Sequence, residues 1–370
     1  MRLLLLLCCL TSLYAQTDPT TFQDLAKQAA ANVDTNPALA AGSFQKALAL
    51  QPQWGEGWLY FGGSLYTLGR YQEALAAFDR GIALTPPLGT SWAFRGLCEF
   101  ALKHYEKSLE DFQKGETLGL GANHQFESVV RQHAALILIR SSFFDQAMAQ
   151  LEPLSNYGDN SPDVIAAAGL CALTQTHWPE ELSAQKRAVV DLAGKAQWAS
   201  MSRQPDQAQA AYRELLATYP QEPGVHYAHG LYLLEADQDA ALADFEQELK
   251  TNPTHWPSLV VSASLENKRG EPQKAMQLAR AALKTVPPSY LWLCHAELGR
   301  GYLATHAPEK AIPEFQAATK QAPTNPQMHF YLEQAYRLSG NDEAARKEKA
   351  EFVRLKKLQD PATVAVNGAN

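Results

Sequence analysis

The stretch that decides the fold is GEGWLYFGGSLYTLGRYQEALAAFDRGIALTPP, residues 55–87. Apolar and small residues recur in it every three or four positions, which is the spacing of one face of an α-helix. The pattern predicts a first helix over about residues 56–68 and a second over about residues 71–84. Gly69 separates the two helices, and a pair of prolines ends the second because proline cannot continue a helix.

The same residue types return 34 positions later. The matching positions are Trp58 and Trp92, Gly62 and Gly96, Tyr71 and Tyr105, Phe78 and Phe112, and Gly81 and Gly115. A fixed period of roughly 20–50 residues is the signature of a repeat array, in which each repeat is one small helical unit. The period therefore predicts a stack of helix pairs rather than a single globular core.

The recurring glycine has a packing explanation. Gly62 stands inside the first helix, where glycine costs about 1 kcal/mol relative to alanine. A missing side chain lets two helix backbones approach closely, and Phe78 of the second helix carries the ring that would fill the space. We therefore expect Gly62 to pack against Phe78, and Gly96 against Phe112 in the next copy.

This set of residues resembles the tetratricopeptide repeat, whose 34-residue pattern carries a Trp, a Leu-Gly pair, a Tyr, an Ala, a Phe and a Pro. The first two copies match closely, and looser copies continue through most of the chain. The signature positions are Trp58, Gly62, Ala74, Phe78, Trp92, Gly96, Phe112, Ala147, Ala208, Gly230, Ala241, Phe245, Ala275, Gly299, Ala311 and Phe315. The resemblance implies an all-α fold, a right-handed superhelical solenoid of antiparallel helix pairs with one irregular segment near the middle.

The repeats divide the chain into two arrays. An N-terminal array is expected over residues 16–154, and a C-terminal array over residues 203–358 that ends in a closing helix. The closing helix is rich in charged residues of both signs, which suits the polar outer surface that a terminal repeat needs. Residues 359–370 are small and polar, and we expect them to be a disordered tail.

Residues 155–202 depart from the pattern. A first helix is expected over residues 163–174, but no clear second helix follows at the usual distance. Instead His177-Trp178-Pro179 makes a break, and a long helical pattern covers about residues 180–202. The segment is either an irregular repeat or a junction between the two arrays.

The N-terminus has the pattern of a secretory signal peptide. Arg2 precedes an apolar run, and Ser12-Leu13-Tyr14-Ala15 follows it with an expected cleavage site after Ala15, so residues 1–15 would be removed. The run is shorter than the about 20 residues that a membrane-spanning helix needs. Cys8 and Cys9 lie in it, but neither follows a small residue, which disfavours a lipoprotein. We expect an exported protein that is periplasmic or secreted, with no integral membrane segment after cleavage.

Composition excludes several classes of function. The net charge is −7, and no basic stripe of the kind that binds nucleic acid is present. Outside the leader the cysteines are Cys98, Cys171 and Cys294. Their odd number argues against a disulfide framework, and no two have the spacing of zinc ligands. We expect all three to be buried thiols.

No catalytic motif is found. The chain has no phosphate-binding glycine loop, no Gly-x-Ser-x-Gly turn and no His-Glu-x-x-His helix. His226 and His229 are three residues apart and could hold a metal, but packing within the repeat is favoured. His177 and Trp178 mark either a functional loop or the packing of an insert. The sequence predicts no enzyme, no cofactor and no metal, unless residues 155–202 contain an unrecognised site.

First helices line the concave surface in tetratricopeptide arrays, so the resemblance also indicates a binding groove. The candidate groove residues are Leu59, Tyr66, Leu97 and Phe100, with Ala93, in the N-terminal array, and Tyr227, Leu231, Arg300, Phe330 and Arg337, with Leu234, Lys268 and Gln334, in the C-terminal array. The first set is apolar and fits a peptide with apolar anchors, whereas the second adds basic charge. The residues at Leu59, Gly63 and Ala93 do not support the carboxylate clamp of some family members. The alternative is that the superhelix, or its own N-terminal helices, already fill the groove.

Two classes of function remain open. One is a non-catalytic interaction scaffold of the cell envelope that holds a peptide or partner domain in its groove. The other is an accessory or chaperone-like subunit of an envelope assembly or secretion machine, docked on an envelope complex. No residue in the sequence selects between them.

Overall fold

The computed structural model describes residues 19–359, and these fold into α-helices and two short 3₁₀ turns with no strand among them. The all-α expectation is therefore confirmed. The expected signal peptide, residues 1–15, lies outside the described residues, as does the expected tail except for Gln359, which is the last residue of a helix. No helix in the described range is long and apolar enough to cross a membrane.

The chain divides into two compact units, with the division between Gln204 and Pro205. The helices of the N-terminal unit are α1 Pro19–Asn32, α2 Pro37–Leu50, α3 Gly55–Thr67, α4 Tyr71–Leu84, α5 Gly89–Ala101, α6 Tyr105–Leu118, α7 His124–Arg140, α8 Phe144–Asn156, α9 Pro162–Ala172 and α10 Ala184–Met201. Neighbouring helices pack as pairs, α1 on α2, α3 on α4, α5 on α6, α7 on α8 and α9 on α10.

The C-terminal unit continues the same construction. Its helices are α11 Pro205–Thr218, α12 Val225–Leu233, α13 Gln238–Thr251, α14 Trp256–Arg269, α15 Pro272–Ala282, α16 Leu291–Ala304, α17 Pro308–Gln321, α18 Pro326–Leu338 and α19 Asp342–Gln359. From α12 onward they pack as consecutive pairs, and α19 is the closing helix that the sequence predicts.

The expected packing of glycine against an aromatic ring is confirmed in both units. A Cβ atom at Gly62 would lie 3.0 Å from the Phe78 ring, and one at Gly96 would lie 2.7 Å from the Phe112 ring. The same contact recurs between Gly230 and Phe245 and between Gly299 and Phe315, at 2.6 Å in both cases. All four phenylalanines are almost completely buried. Each glycine is thus required where the ring of the second helix crosses the first.

Residues 155–202 contain the long helix that the sequence predicts over about residues 180–202. This helix is α10, and the structure adds that it is the second helix of a pair, because it packs closely on α9 after a long connection, residues 173–183. A Cβ atom at Gly169 of α9 would collide with the carbonyl oxygen of Val190, and one at Gly194 of α10 with that of Ile165. The pair is therefore held by backbone approaching backbone, with glycine on both helices.

Histidines stand in the place of the signature tryptophan in α12, α16 and α18 of the C-terminal unit. The ring of His295 bonds to Glu314 at 2.7 Å and that of His329 bonds to Glu348 at 2.6 Å, each across one helix pair. His226 and His229 both bond to Asp244, at 3.0 and 2.6 Å. The pair that could have held a metal is thus committed to the packing of α12 on α13. Among the described residues, no group of three or more metal-ligating side chains occurs.

An acid is buried between α5 and α6. The side chain of Asp111 lies 3.4 Å from Arg95, which also reaches the exposed Asp79 at 3.2 Å. Burial raises the pKa of the Asp111 carboxyl to about 7, and Arg95 only partly opposes this. Because an unfolded aspartate has a pKa near about 3.9, the folded state keeps a proton that the unfolded chain releases between those two values.

This site should therefore destabilise the N-terminal unit as the pH rises. The stabilisation that comes from the proton on Asp111 is complete below about pH 4 and is lost as the pH rises through about 7. Between the two pKa values, the free energy of unfolding falls by about 1.4 kcal/mol for each pH unit. Asparagine does not titrate, so Asp111→Asn should not share this loss. We expect the free energy of unfolding of Asp111→Asn minus that of wild type, both measured by urea unfolding, to increase by about 2–4 kcal/mol between pH 4 and pH 8. A pH-independent difference for Asp111→Asn would contradict the assignment.

Candidate functional site

The candidate functional site is a cavity in the last helix pair, between α18 and α19. It has a volume of about 220 Å³ and is called the terminal cavity here. Its lining residues are Phe330, Glu333, Gln334, Arg337, Lys349 and Phe352. The rings of Phe330 and Phe352 meet at a centroid distance of 5.5 Å and provide its apolar surface.

The cavity exists because the signature packing is absent from this pair. Glu333 occupies the register that Gly299 holds in the preceding pair, and Lys349 occupies the register of Phe315. Two charged side chains cannot pack as a ring in a hole. Lys349 is exposed, and the Glu333 side chain, 16% exposed, turns to Arg337, so that space is left beside Phe330.

The charge around the terminal cavity is positive. The Arg337 guanidinium is 57% exposed and lies 3.3 Å from the Glu333 carboxylate. No ion pair of Lys349 is found within residues 19–359. Two cations and one acid therefore surround an apolar cavity, which favours a ligand that combines an apolar group with negative charge.

Of the candidate groove residues in the C-terminal unit, Phe330, Gln334 and Arg337 are brought together in this cavity. Leu231 is exposed but lies on a different helix pair, α12 and α13. Tyr227 is half-buried and packs on Phe245 at 5.8 Å between ring centroids. These two residues do not join the cavity.

Arg300 is also engaged within the unit. Its guanidinium donates to Glu297 at 2.8 Å and to the Ser264 hydroxyl at 3.2 Å, and it lies 5.8 Å from the centroid of the Tyr331 ring. It therefore links neighbouring helix pairs, so its prediction as a free groove cation is not supported by its contacts.

In the N-terminal unit, two of the candidate groove residues face the interior. Leu97 is only 2% exposed and lies in the core with Phe94 and Phe112, so its prediction as a groove residue is wrong. Leu59 packs over Gly81 of the second helix in its own pair, because a Cβ atom at Gly81 would collide with it. Both residues lie on first helices, as predicted, but their side chains are on the inward face of those helices.

Tyr66 and Phe100 are half-buried at the helix ends, each against the tyrosine that begins the next helix. Their ring centroids lie 5.6 Å from Tyr71 and 5.5 Å from Tyr105, respectively. The Phe100 ring is also contacted by Trp178, at 5.7 Å. At this candidate groove residue, therefore, a side chain from residues 173–183 of the same chain occupies the space beside the ring.

The three cysteines and one ring nitrogen of His177 are buried. Cys98, Cys171 and Cys294 are buried free thiols, as expected. Burial raises the pKa of each thiol to about 12, so the nucleophilic thiolate is scarce at neutral pH. His177 Nδ1 is buried and makes no hydrogen bond within the described residues.

Stacked antiparallel helix pairs with glycine–aromatic contacts define the class of helical repeat proteins. Within that class, the family model described as tetratricopeptide repeat matches residues 34–88 and 297–352. These two matches support the resemblance to tetratricopeptide repeats that the signature residues predict. The fold of this family indicates protein partners, and its members are generally non-catalytic scaffolds.

Solved structures resemble the chain at low identity. MamA from Desulfovibrio magneticus RS-1 is 20% identical, with 46% of this chain and 97% of that chain covered and a TM-score of 0.42. A tetratricopeptide repeat protein from Parabacteroides merdae ATCC 43184 is 14% identical, with 85% and 99% covered and a TM-score of 0.34. PilW, a type IV pilus biogenesis factor, is 16% identical, with 65% and 97% covered and a TM-score of 0.40. A search of curated proteins finds no match.

Proposed function

We propose that the protein is an exported, non-catalytic scaffold of the cell envelope that binds a peptide or partner domain on its first helices. The family supports protein partners in general. The pattern of residues 1–15 supports export. The terminal cavity is the observation that carries the binding proposal, because it joins three candidate groove residues around an open apolar space.

The size and charge of the terminal cavity suggest what it binds. Its volume is about 220 Å³, and a protein cavity of about 150 Å³ is large enough for benzene. One leucine or phenylalanine side chain of a partner therefore fits beside Phe330 and Phe352. Arg337 and Lys349 stand at the rim, where a neighbouring Asp or Glu of the partner would complement them. The expected ligand is a polypeptide segment with an apolar anchor next to an acid.

A charge reversal within the closing helix tests this site. We expect Lys349→Glu to reduce recovery of a cross-linked partner by at least about ten-fold, which corresponds to about 1.4 kcal/mol. Tagged full-length protein would be cross-linked mildly in envelope extract, captured, and its partners quantified by mass spectrometry. Phe330→Ala should lower recovery of the same partner, since it removes apolar surface from the cavity.

Lys347→Glu is the matched control. It makes the same charge change on the same helix. Residues that are two positions apart, such as Lys347 and Lys349, lie about 200° apart around a helix axis, so the control is on the opposite side of α19. Lys347 is 74% exposed and pairs with Glu343, away from the cavity. Equal recovery with both reversals would reject the terminal cavity as the binding site. Recovery of a whole membrane complex, rather than one partner, would favour the accessory-subunit alternative.

Export is tested separately. We propose that the mature chain begins after Ala15 and accumulates outside the cytoplasm. Cell fractionation and N-terminal sequencing of the purified protein would check this. An intact leader on cytoplasmic protein would remove the envelope from the proposal and leave the scaffold role unaffected.

A further inference from the structure

The connection between α9 and α10, residues 173–183, is called the strap here. The connections within neighbouring pairs are much shorter, for example residues 68–70 and 102–104. Within the strap, Arg140 Nη1 donates to the Thr176 carbonyl oxygen at 2.6 Å. The Trp178 backbone N–H donates to Glu181 Oε2 at 2.9 Å, in the 3₁₀ turn that follows. Trp178 is thus presented from a loop that is fixed on both sides of it.

The Trp178 ring rests on side chains from an earlier part of the array. Its centroid lies 4.9 Å from that of Tyr105 and 5.7 Å from that of Phe100, perpendicular to the latter ring. His133 of α7 contacts Phe100 edge-on at 4.5 Å, and burial lowers the pKa of the His133 ring. These three residues, Phe100, Tyr105 and His133, form what we call the aromatic seat.

The repeat completes this seat without Trp178. In the preceding copy, Tyr66 and Tyr71 form the equivalent pair, and Phe94 of the next first helix contacts Tyr66 at 6.0 Å. In this copy the next first helix is α7, and its His133 stands against Phe100 in the same way. Trp178 is a further ring, which comes from the strap and from outside the helix pair.

We infer that the aromatic seat is a second binding site, which accepts an aromatic side chain of a partner polypeptide, and that Trp178 is its intramolecular occupant. The inference rests on the proposed scaffold function for the existence of a partner, but it concerns a different unit from the terminal cavity. Trp178 is only half-buried, so its ring can leave without unfolding a helix. A tethered side chain acts at an effective concentration of about millimolar order. The seat can bind a partner only while Trp178 is out of it. The apparent affinity for the partner is therefore lower when Trp178 occupies the seat for a larger fraction of the time.

Trp178→Ala should open the seat to an added aromatic peptide. The probe is a fluorescein-labelled synthetic peptide LTQTHWPEELS, the sequence of the strap itself, titrated into full-length protein and followed by anisotropy. We expect Trp178→Ala to bind it at least about ten-fold more tightly than wild type, because the tethered competitor is gone. The same peptide with alanine in place of its tryptophan should not bind.

Three further proteins make the result decisive. Trp178→Phe keeps an aromatic occupant and should behave as wild type. Trp178→Ala combined with Phe100→Ala should lose the peptide, because the seat is removed. Arg140→Ala loosens the strap without changing the seat, and it should bind the peptide more tightly than wild type even if Trp178→Ala folds poorly.

The inference is overturned if folded Trp178→Ala and Arg140→Ala both bind the peptide no better than wild type, because Trp178 would then be a permanent part of the core. Circular dichroism and thermal melting establish that each variant is folded. The result is independent of Lys349→Glu in the C-terminal unit. A seat that binds the peptide, with a terminal cavity that captures no partner, would reject the proposed function at the cavity alone.

Discussion

Gly169→Ala is expected to destabilise the N-terminal unit by about 3 kcal/mol, at the upper end of the range for overpacked sites. The added methyl group would collide with the Val190 carbonyl oxygen of α10. A flexible side chain could move aside, but a helix backbone moves only if α9 and α10 separate. We expect a lower melting temperature by circular dichroism, with faster hydrogen exchange concentrated in α9 and α10.

The control is a second helical glycine in the same unit. A Cβ atom at Gly63 of α3 would have no heavy atom within 4 Å, so Gly63→Ala should be neutral or stabilising by up to about 1 kcal/mol, since alanine is the better helix former. Gly194→Ala, which meets the Ile165 carbonyl oxygen, should resemble Gly169→Ala. Melting of Gly169→Ala at the wild-type temperature would show that α9 and α10 are further apart than described.

The sequence predicted most of the fold because the signature contacts are made by side-chain types at a fixed period. Gly62 with Phe78 is such a pair, and so is Gly299 with Phe315, and each is recognisable from the residues alone. The pairing of α9 with α10 could not be predicted in this way. Gly169 and Gly194 meet backbone atoms, which leave no complementary residue type in the sequence, and the strap moves α10 out of the usual register.

The candidate site was predicted in part. Phe330 and Arg337 follow from first-helix register, but that register gives no information about Lys349 on the second helix. A signal was available, because Glu333 and Lys349 stand where the preceding repeat has glycine and phenylalanine. Register also misplaced Leu97, since it does not distinguish the concave face from the inward face of the same helix turn. Trp178 follows α9 but contacts the aromatic seat several helices earlier. The repeat period predicts contacts between adjacent helices only, so it could not predict this one.

Phe315→Ala is expected to destabilise the C-terminal unit by about 3–5 kcal/mol, the usual cost of removing a buried phenylalanine ring. Phe315 is completely buried and packs with Ala311, Leu332 and Ala335 across two helix pairs. Its loss leaves a cavity in both pairs at once. Urea unfolding, combined with hydrogen exchange to assign the transition to this unit, would measure the change, because two units need not unfold together.

A double-mutant cycle tests whether Gly299 is the reason that Phe315 fits. Gly299→Ala alone should cost about 1–3 kcal/mol, because its Cβ atom would lie 2.6 Å from the ring. Phe315→Leu alone should also destabilise. Together they should cost less than the sum by at least about 1 kcal/mol, since a shorter, flexible side chain leaves room for the new methyl group.

The comparison cycle combines Gly299→Ala with Phe245→Leu, which belongs to a different pair and has Gly230 as its own partner. Because these two sites share no contact, their costs should add to within about 0.5 kcal/mol. Coupling of equal size in both cycles would mean that the loss spreads through the whole unit. Coupling confined to Gly299 and Phe315 would establish that the contact between glycine and ring acts within its own helix pair. In that case the exchange of both residues for Glu333 and Lys349 in the last pair removes a contact on which the preceding pair depends, and α18 and α19 are held by their other contacts alone.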